Sequence, residues 1–159
     1  MNHSGMSLIV KNTARLVSGF IAVFAVYVAL TGHLGPGGGF AGGVILAAAA
    51  ALIVLAFGRR ASRKLISPAT CHVADAAGAS LFLLIALLGY LAGGFFLNFI
   101  PTGFAEGRVE HLDSAGTIPL SNLAILVKVA AGLAGAFLAL SAFRLHGRMP
   151  PRPGEEAFR

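Results

Sequence analysis

The chain carries no Asp, Glu, Lys or Arg between Leu16 and Gly58 or between Ala76 and Ala105, and only Lys128 between Ser114 and Phe143. A hydrocarbon layer about 30 Å thick demands such runs, because about 20 consecutive apolar residues in a helix cross it. The three runs hold four helices and predict an all-α integral membrane protein. Little chain remains outside the lipid, which excludes a catalytic domain of ordinary size. Composition agrees: 57% of residues are hydrophobic and 11% charged, whereas about a quarter are charged in an ordinary soluble domain.

The first span is expected over Leu16 to about Leu34, behind a short amphipathic lead (residues 1–15) in which Leu8, Ile9 and Val10 adjoin Lys11. A cleaved leader fits poorly, since a secretory core is shorter and is not followed at once by a second span. The alanine-rich second span, about Phe40 to Gly58, ends at Arg59, Arg60, Arg63 and Lys64. Ser67 and Pro68 give the cap and first-turn chemistry of a third helix, which is expected to enter lipid after Asp75 and run to about Ile100. The fourth is expected over Ile118 to Phe143, giving a membrane domain of residues 16–143.

Four spans place both termini on one side. Ten of the twelve Lys and Arg lie in the lead, the Arg59–Lys64 loop and the tail from Arg144. Basic residues stay in the cytoplasm, so this pattern predicts a multi-pass protein of the cell inner (cytoplasmic) membrane with both ends inside. The same placement explains the net charge of +6 without nucleic acid, which would need a basic water-facing surface. The tail, residues 144–159, has the Pro-rich, charged composition of a disordered segment. A single cysteine, Cys71, excludes an internal disulfide or a cysteine-rich cluster. No cofactor is expected.

Between the first two spans lies Gly32-His33-Leu34-Gly35-Pro36-Gly37-Gly38-Gly39-Phe40-Ala41-Gly42-Gly43, with seven glycines in twelve residues. Gly37, Gly39 and Gly42 satisfy G-x-G-x-x-G, but no strand precedes them and the next acid is Asp75, so a dinucleotide fingerprint is rejected. What remains is a tight turn at the membrane surface, either simply a packing turn or one that also shapes an ion or water path. This block resembles the MnhB/MrpB family, small membrane components of the multisubunit Mrp cation/proton antiporters. A second block, Gly116-Thr117-Ile118-Pro119-Leu120-Ser121-Asn122 leading to Lys128-Val129-Ala130-Ala131-Gly132, is similar to the final helix of that family. The likeness runs from about Ser7 to Phe143. It implies a small accessory subunit of a large assembly whose bigger subunits do most of the ion translocation, with relatives in membrane-bound hydrogenases and, more distantly, in the respiratory NADH dehydrogenase. Its implied partners are other membrane subunits and the transported Na+ and H+.

Lys128 stands out on physical grounds as well. It lies near the centre of its span, where a lysine costs about 2.5–3.5 kcal/mol on insertion scales unless it meets a polar interior. Its stem is too short to reach an interface. Ser121, Ala124, Ala131, Gly132 and Gly135 surround it at helical spacing and seat a neighbouring helix. With no acid deep in the chain's own spans, its counter-charge is expected from another subunit, either along an ion or proton path or in a structural ion pair.

His33 could relay protons, since an unperturbed histidine titrates near neutrality, but a lone histidine at a membrane surface is more often an interfacial hydrogen-bonding residue. Cys71, His72 and Asp75 are too few for a closed metal site, and Asp75 suits the positive end of the third helix. Glu106, Glu110, His111 and Asp113 read as a solvated outer loop. Small-residue pairs (Gly39/Gly43, Gly43/Ala47, Gly89/Gly93, Gly132/Ala136) offer more close-packing seams than four helices can use internally, and Tyr90 and Asn98 could add hydrogen bonds between helices. The leading expectation is a non-enzymatic subunit of a cation/proton antiporter or a related redox-driven pump. A pure scaffold and a small dimeric exporter are the alternatives.

Overall fold

The computed structural model describes residues 6–63, 66–100 and 115–142, with the side chains of 59, 60 and 142 left aside. The acidic outer loop (Glu106, Glu110, His111, Asp113) and the basic tail lie outside the described residues. The elements are α1 (Leu8–Leu30), α2 (Gly39–Phe57), the single turn α3 (Arg59–Ser62), α4 (Pro68–Leu88) continued by a 3-10 turn (Gly89–Ala92), and α5 (Ile118–Ala142). Among the described residues four segments are long and apolar enough to cross a membrane: Leu8–Leu30, Gly39–Phe57, Pro68–Ala92 and Ile118–Ser141. Among the described residues there is no strand.

Local chemistry sets the boundaries. The Ser67 hydroxyl accepts from the Thr70 N–H at 3.0 Å and Pro68 takes the first helical position, so α4 starts where the sequence signals it. α1 begins at Leu8, a full two turns before the expected Leu16, because the lead is already helical behind the Ser7 cap. The largest departure is at the end of α4, which stops at Leu88 and does not continue to Ile100. Gly93 takes a left-handed conformation with φ +114°, and the chain folds back so that the Phe96 N–H donates to the Ala86 carbonyl at 3.1 Å. The returning backbone passes so close to Gly89 that a Cβ there would stand 2.6 Å from the Leu97 nitrogen. Phe96 then packs on Phe82 with ring centroids 5.3 Å apart. Gly89 and Gly93 therefore serve a chain reversal, and the seam expected of them does not form.

The helices are arranged in the order α1, α2, α5, α4, so the last of the described helices lies between α2 and α4. α2 lies on the ridge Leu126, Ala130, Ala134 and Leu138 of α5, all buried at a spacing of four residues. Its own buried residues are nearly all glycine and alanine, which lets backbones approach and supplies the dispersion contacts that hold helices together in lipid. Near the Arg63 end of the molecule, Val54, Cys71, Ala134 and Leu138 form a core cluster with Ala50, Ile66 and Phe137 around it. The Met6 N–H reaches the Ala56 carbonyl at 3.3 Å, and the Arg15 guanidinium sits 5.3 Å from the centre of the Phe57 ring, joining the start of α1 to the end of α2.

Candidate functional site

The seam between α4 and α5 is built from two complementary series, Cys71, Asp75 and Gly78 on one helix against Gly135, Gly132, Lys128 and Ala124 on the other. A Cβ on Gly78 would lie 2.7 Å from the Lys128 backbone nitrogen and 2.9 Å from the Ala124 carbonyl oxygen, so the two backbones touch at that level. Next to this contact the Lys128 ammonium stands 3.1 Å from Asp75 Oδ1. The Gly132 and Gly135 positions face Asp75 Oδ1 and Cys71 Cβ, each with room for ordinary contact at 3.4 Å. Glycine at 78 is what lets a lysine and an aspartate share one seam.

This corrects two expectations. The counter-charge of Lys128 comes from the chain itself, and Asp75 is more than a favourable charge at a helix start. Asp75 is in the second helical turn past Pro68, about 10 Å into α4, and Lys128 is about 15 Å from the start of α5. Both lie at hydrocarbon depth if the helices span the bilayer. Asp75 Oδ1 is shielded from solvent and accepts no hydrogen bond of good geometry among the described residues, so the lysine acts on it as a counter-charge at close range. The two side chains nevertheless remain 50% and 39% exposed on the outside of the seam.

The glycine hairpin is at the opposite end of α5 from the core cluster. Gly37 and Gly38 have φ of +146° and +87°, which only glycine adopts freely. A Cβ on Gly32 would collide with Gly38 and come within 2.8 Å of Asn122 Nδ2. One on Gly39 would collide with the Asn122 carbonyl oxygen, one on Gly43 would stand 2.7 Å from Val129 Cβ, and one on Gly42 would press on Ala25 of α1. The two sequence blocks that carry the family resemblance thus form one contact, centred on Asn122. Pro36 lines an open cleft of about 340 Å³ with Phe24, Tyr27 and Thr31, and Phe40 points outward. His33 is half-buried in this turn with Nδ1 shielded from solvent. It belongs to the Asn122 level of α5, about 9 Å along the axis from Lys128, and so to a different part of the molecule.

Asn98 has a role that sequence reasoning missed. Its carboxamide oxygen accepts from the Thr117 N–H at 2.9 Å and its nitrogen donates to the Ala115 carbonyl at 3.4 Å. It thereby caps α5 from about 20 residues upstream, a pairing with no local signature. Among the described residues no three His, Cys, Asp or Glu side chains are gathered in a way that could hold a metal. The chemistry available is that of one carboxylate and one ammonium on the outer side of the α4–α5 seam, a unit able to hold a proton and to set the field around it.

Residues 9–135 match the family model described as a domain related to the MnhB subunit of Na+/H+ antiporters. An uncharacterised protein of Methanocaldococcus jannaschii is 37% identical over 136 residues, covering 84% of this chain and 52% of that protein. The corresponding Na+/H+ antiporter subunit of Bacillus subtilis is 37% identical over 91 residues, 57% of this chain and 63% of that protein. A chain of the membrane-bound sulfane sulfur reductase, an archaeal respiratory membrane complex, superimposes with a TM-score of 0.65 at 30% identity, over 89% of this chain and 60% of its own length. The chain therefore spans only about half to two thirds of the length of these relatives. With four apolar helices and a family match that covers both glycine-dependent contacts and the Asp75–Lys128 seam, the chain belongs to the family of domains related to the MnhB subunit of Na+/H+ antiporters.

Proposed function

We propose that the protein is an accessory integral-membrane subunit of a multisubunit cation/proton antiporter, or of a redox-driven ion-pumping complex of related build. It works in the cytoplasmic membrane alongside larger membrane subunits, with Na+ and H+ as the transported ions and with both ends and the Arg59–Ser67 loop inside. The observation that carries this reading is the Asp75–Lys128 pair between two helices long and apolar enough to cross a membrane, in a chain of the MnhB family. Charged groups so placed are costly and are kept where ions or protons pass. The pair contributes to a path, or to the field along one; His33 and the glycine turn shape the membrane surface at the other end of α5.

Neutralising both members separates this reading from a purely structural one. In the Lys128→Met, Asp75→Asn double variant the seam keeps its bulk and loses both charges. The complex is expected to assemble on native gels while antiport in everted vesicles falls. Lys128→Arg, which keeps the charge with different donor geometry, is expected to be intermediate. Normal flux per assembled complex in the double variant would leave only a scaffold, and a stable homodimer that transports alone would favour the exporter.

A further inference from the structure

The Asp75–Lys128 pair is closed off along the inside of the bundle in both directions. On the Ala124 side, Gly78 rests against the α5 backbone and leaves no room even for a methyl group. On the Arg63 side, the space between α2, α4 and α5 is filled by Val54, Cys71, Ala134 and Leu138, backed by Ile66 and Phe137. Yet the lysine and aspartate side chains are 50% and 39% exposed. The opening is therefore sideways, over the outer flank of the seam, where His72, Ala76 and Ala79 of α4 and Gly132 of α5 are also exposed.

Lipid is a poor occupant for that flank. An ammonium has three donors, and Asp75 Oδ1, a counter-charge 3.1 Å away on one side of it, cannot meet them all. Acyl chains offer no acceptor to the others, and unsatisfied polar groups at this depth are strongly disfavoured. The outer face of α1 is a useful contrast, since Leu16, Phe20, Val23 and Phe24 are exposed there without a charge beyond Arg15, as lipid prefers.

We infer that the flank formed by His72, Ala76, Ala79, Lys128 and Gly132 is the docking face for a transmembrane helix of another subunit, one that presents a hydrogen-bond acceptor side chain at the depth of Lys128. Any ion path that involves the pair then runs between two subunits and not through this chain. The inference rests on the reading of the protein as a complex subunit, and it adds where the neighbour sits and what it offers.

The test is crosslinking in the intact complex in native membranes. A photoreactive benzoylphenylalanine is placed at Ala76 or Ala79, with Phe20 as the comparison, and the adducts are mapped by mass spectrometry. Adducts from 76 and 79 are expected on one co-purifying membrane subunit, in a span that carries a carboxylate, carboxamide or hydroxyl side chain near the mapped site, whereas position 20 labels lipid. Should the bulky probe block assembly, Ala76→Cys and Ala79→Cys in a Cys71→Ser background, joined by a short thiol-to-amine or thiol-to-thiol linker, give the same readout. Adducts confined to lipid, to a second copy of this chain, or to a span without a polar side chain would overturn the inference. Flux is not part of this measurement. Lipid-only adducts together with lost antiport in the neutral double variant would remove the docking face and keep the functional reading, and the reverse pattern would do the opposite.

Discussion

Gly78→Ala is the smallest change that tests whether the α4–α5 contact holds the ion pair. The added Cβ would stand 2.7 Å from the Lys128 backbone nitrogen and 2.9 Å from both the Ala124 carbonyl oxygen and Lys128 Cβ, two of them backbone atoms that cannot rotate aside. Restoring ordinary contact near 3.5 Å requires α4 to retreat by about 0.8 Å. That movement carries the 3.1 Å ion pair toward the limit of close pairing. Overpacking of this kind costs about 1–3 kcal/mol. Alanine also favours the helix over glycine by about 0.5–1 kcal/mol, which would mask part of the loss. Gly19→Ala supplies the correction, because Gly19 is in α1 with nothing within 4 Å of its added methyl, so it gains the propensity term alone. The difference between the two variants isolates the clash. Unfolding of the purified protein by SDS titration in mixed micelles should place Gly78→Ala about 1–3 kcal/mol below Gly19→Ala. Equal stability would refute the close crossing and, with it, the account of how the pair is positioned.

Asn98→Ala removes the cap on α5 and should cost about 0.5–2 kcal/mol, with faster hydrogen exchange at Thr117 and Ile118, while Asn98→Asp keeps the acceptor and most of the protection. Lys128→Met or Asp75→Asn alone leaves an uncompensated charge in the seam, so each single variant should assemble less well on native gels than the double variant; equal assembly would mean that the two groups are not coupled. Gly39→Ala drives a methyl into the Asn122 carbonyl and should lower accumulation more than Gly78→Ala does, as measured by immunoblot of membranes. Sidedness is read with an impermeant maleimide in a Cys71→Ser background: Gly35→Cys should react in intact cells and Arg63→Cys only after the cells are opened, and the reverse would invert the topology. Arg63 is the better reporter than the neighbouring Ser62, which is 1% exposed with its hydroxyl bound to the Gly58 carbonyl.

The four helices are legible in the sequence because run length and charge placement depend on the bilayer, a constraint that acts residue by residue along the chain. The start of α4 is equally plain, since Ser67 and Pro68 act locally. The end of α4 is not. An apolar run to Ile100 looks the same whether it continues as helix or turns back, and the decision rests on Gly89 meeting Leu97 across the reversal. The pairing of Asp75 with Lys128 is hidden for a similar reason: it depends on how two helices far apart in sequence are rotated about their axes. A cue does exist. Cys71, Asp75 and Gly78 repeat at four and three residues, and Lys128, Gly132 and Gly135 repeat at four and three in return, which is the mark of two stripes that face each other. Gly39 and Gly43 are recognisable as a seam from their spacing, but their partner, Asn122 to Val129, can be named only from the fold.

Because α5 follows α4 in sequence yet lies between α2 and α4 in space, the order of synthesis and the order of packing are at odds. As the chain leaves the ribosome, α1 and α2 can close on each other, whereas α4 enters the membrane with a carboxylate and a bare glycine flank and waits for the helix that will cover them. The arrival of α5 completes both seams together, pairing Lys128 with Asp75 and seating Asn122 on the glycine turn. A nascent chain stopped after α4 would leave Asp75 without the counter-charge that Lys128 supplies. The Asp75–Lys128 contact thus forms only once α5 has joined α4 in the bundle.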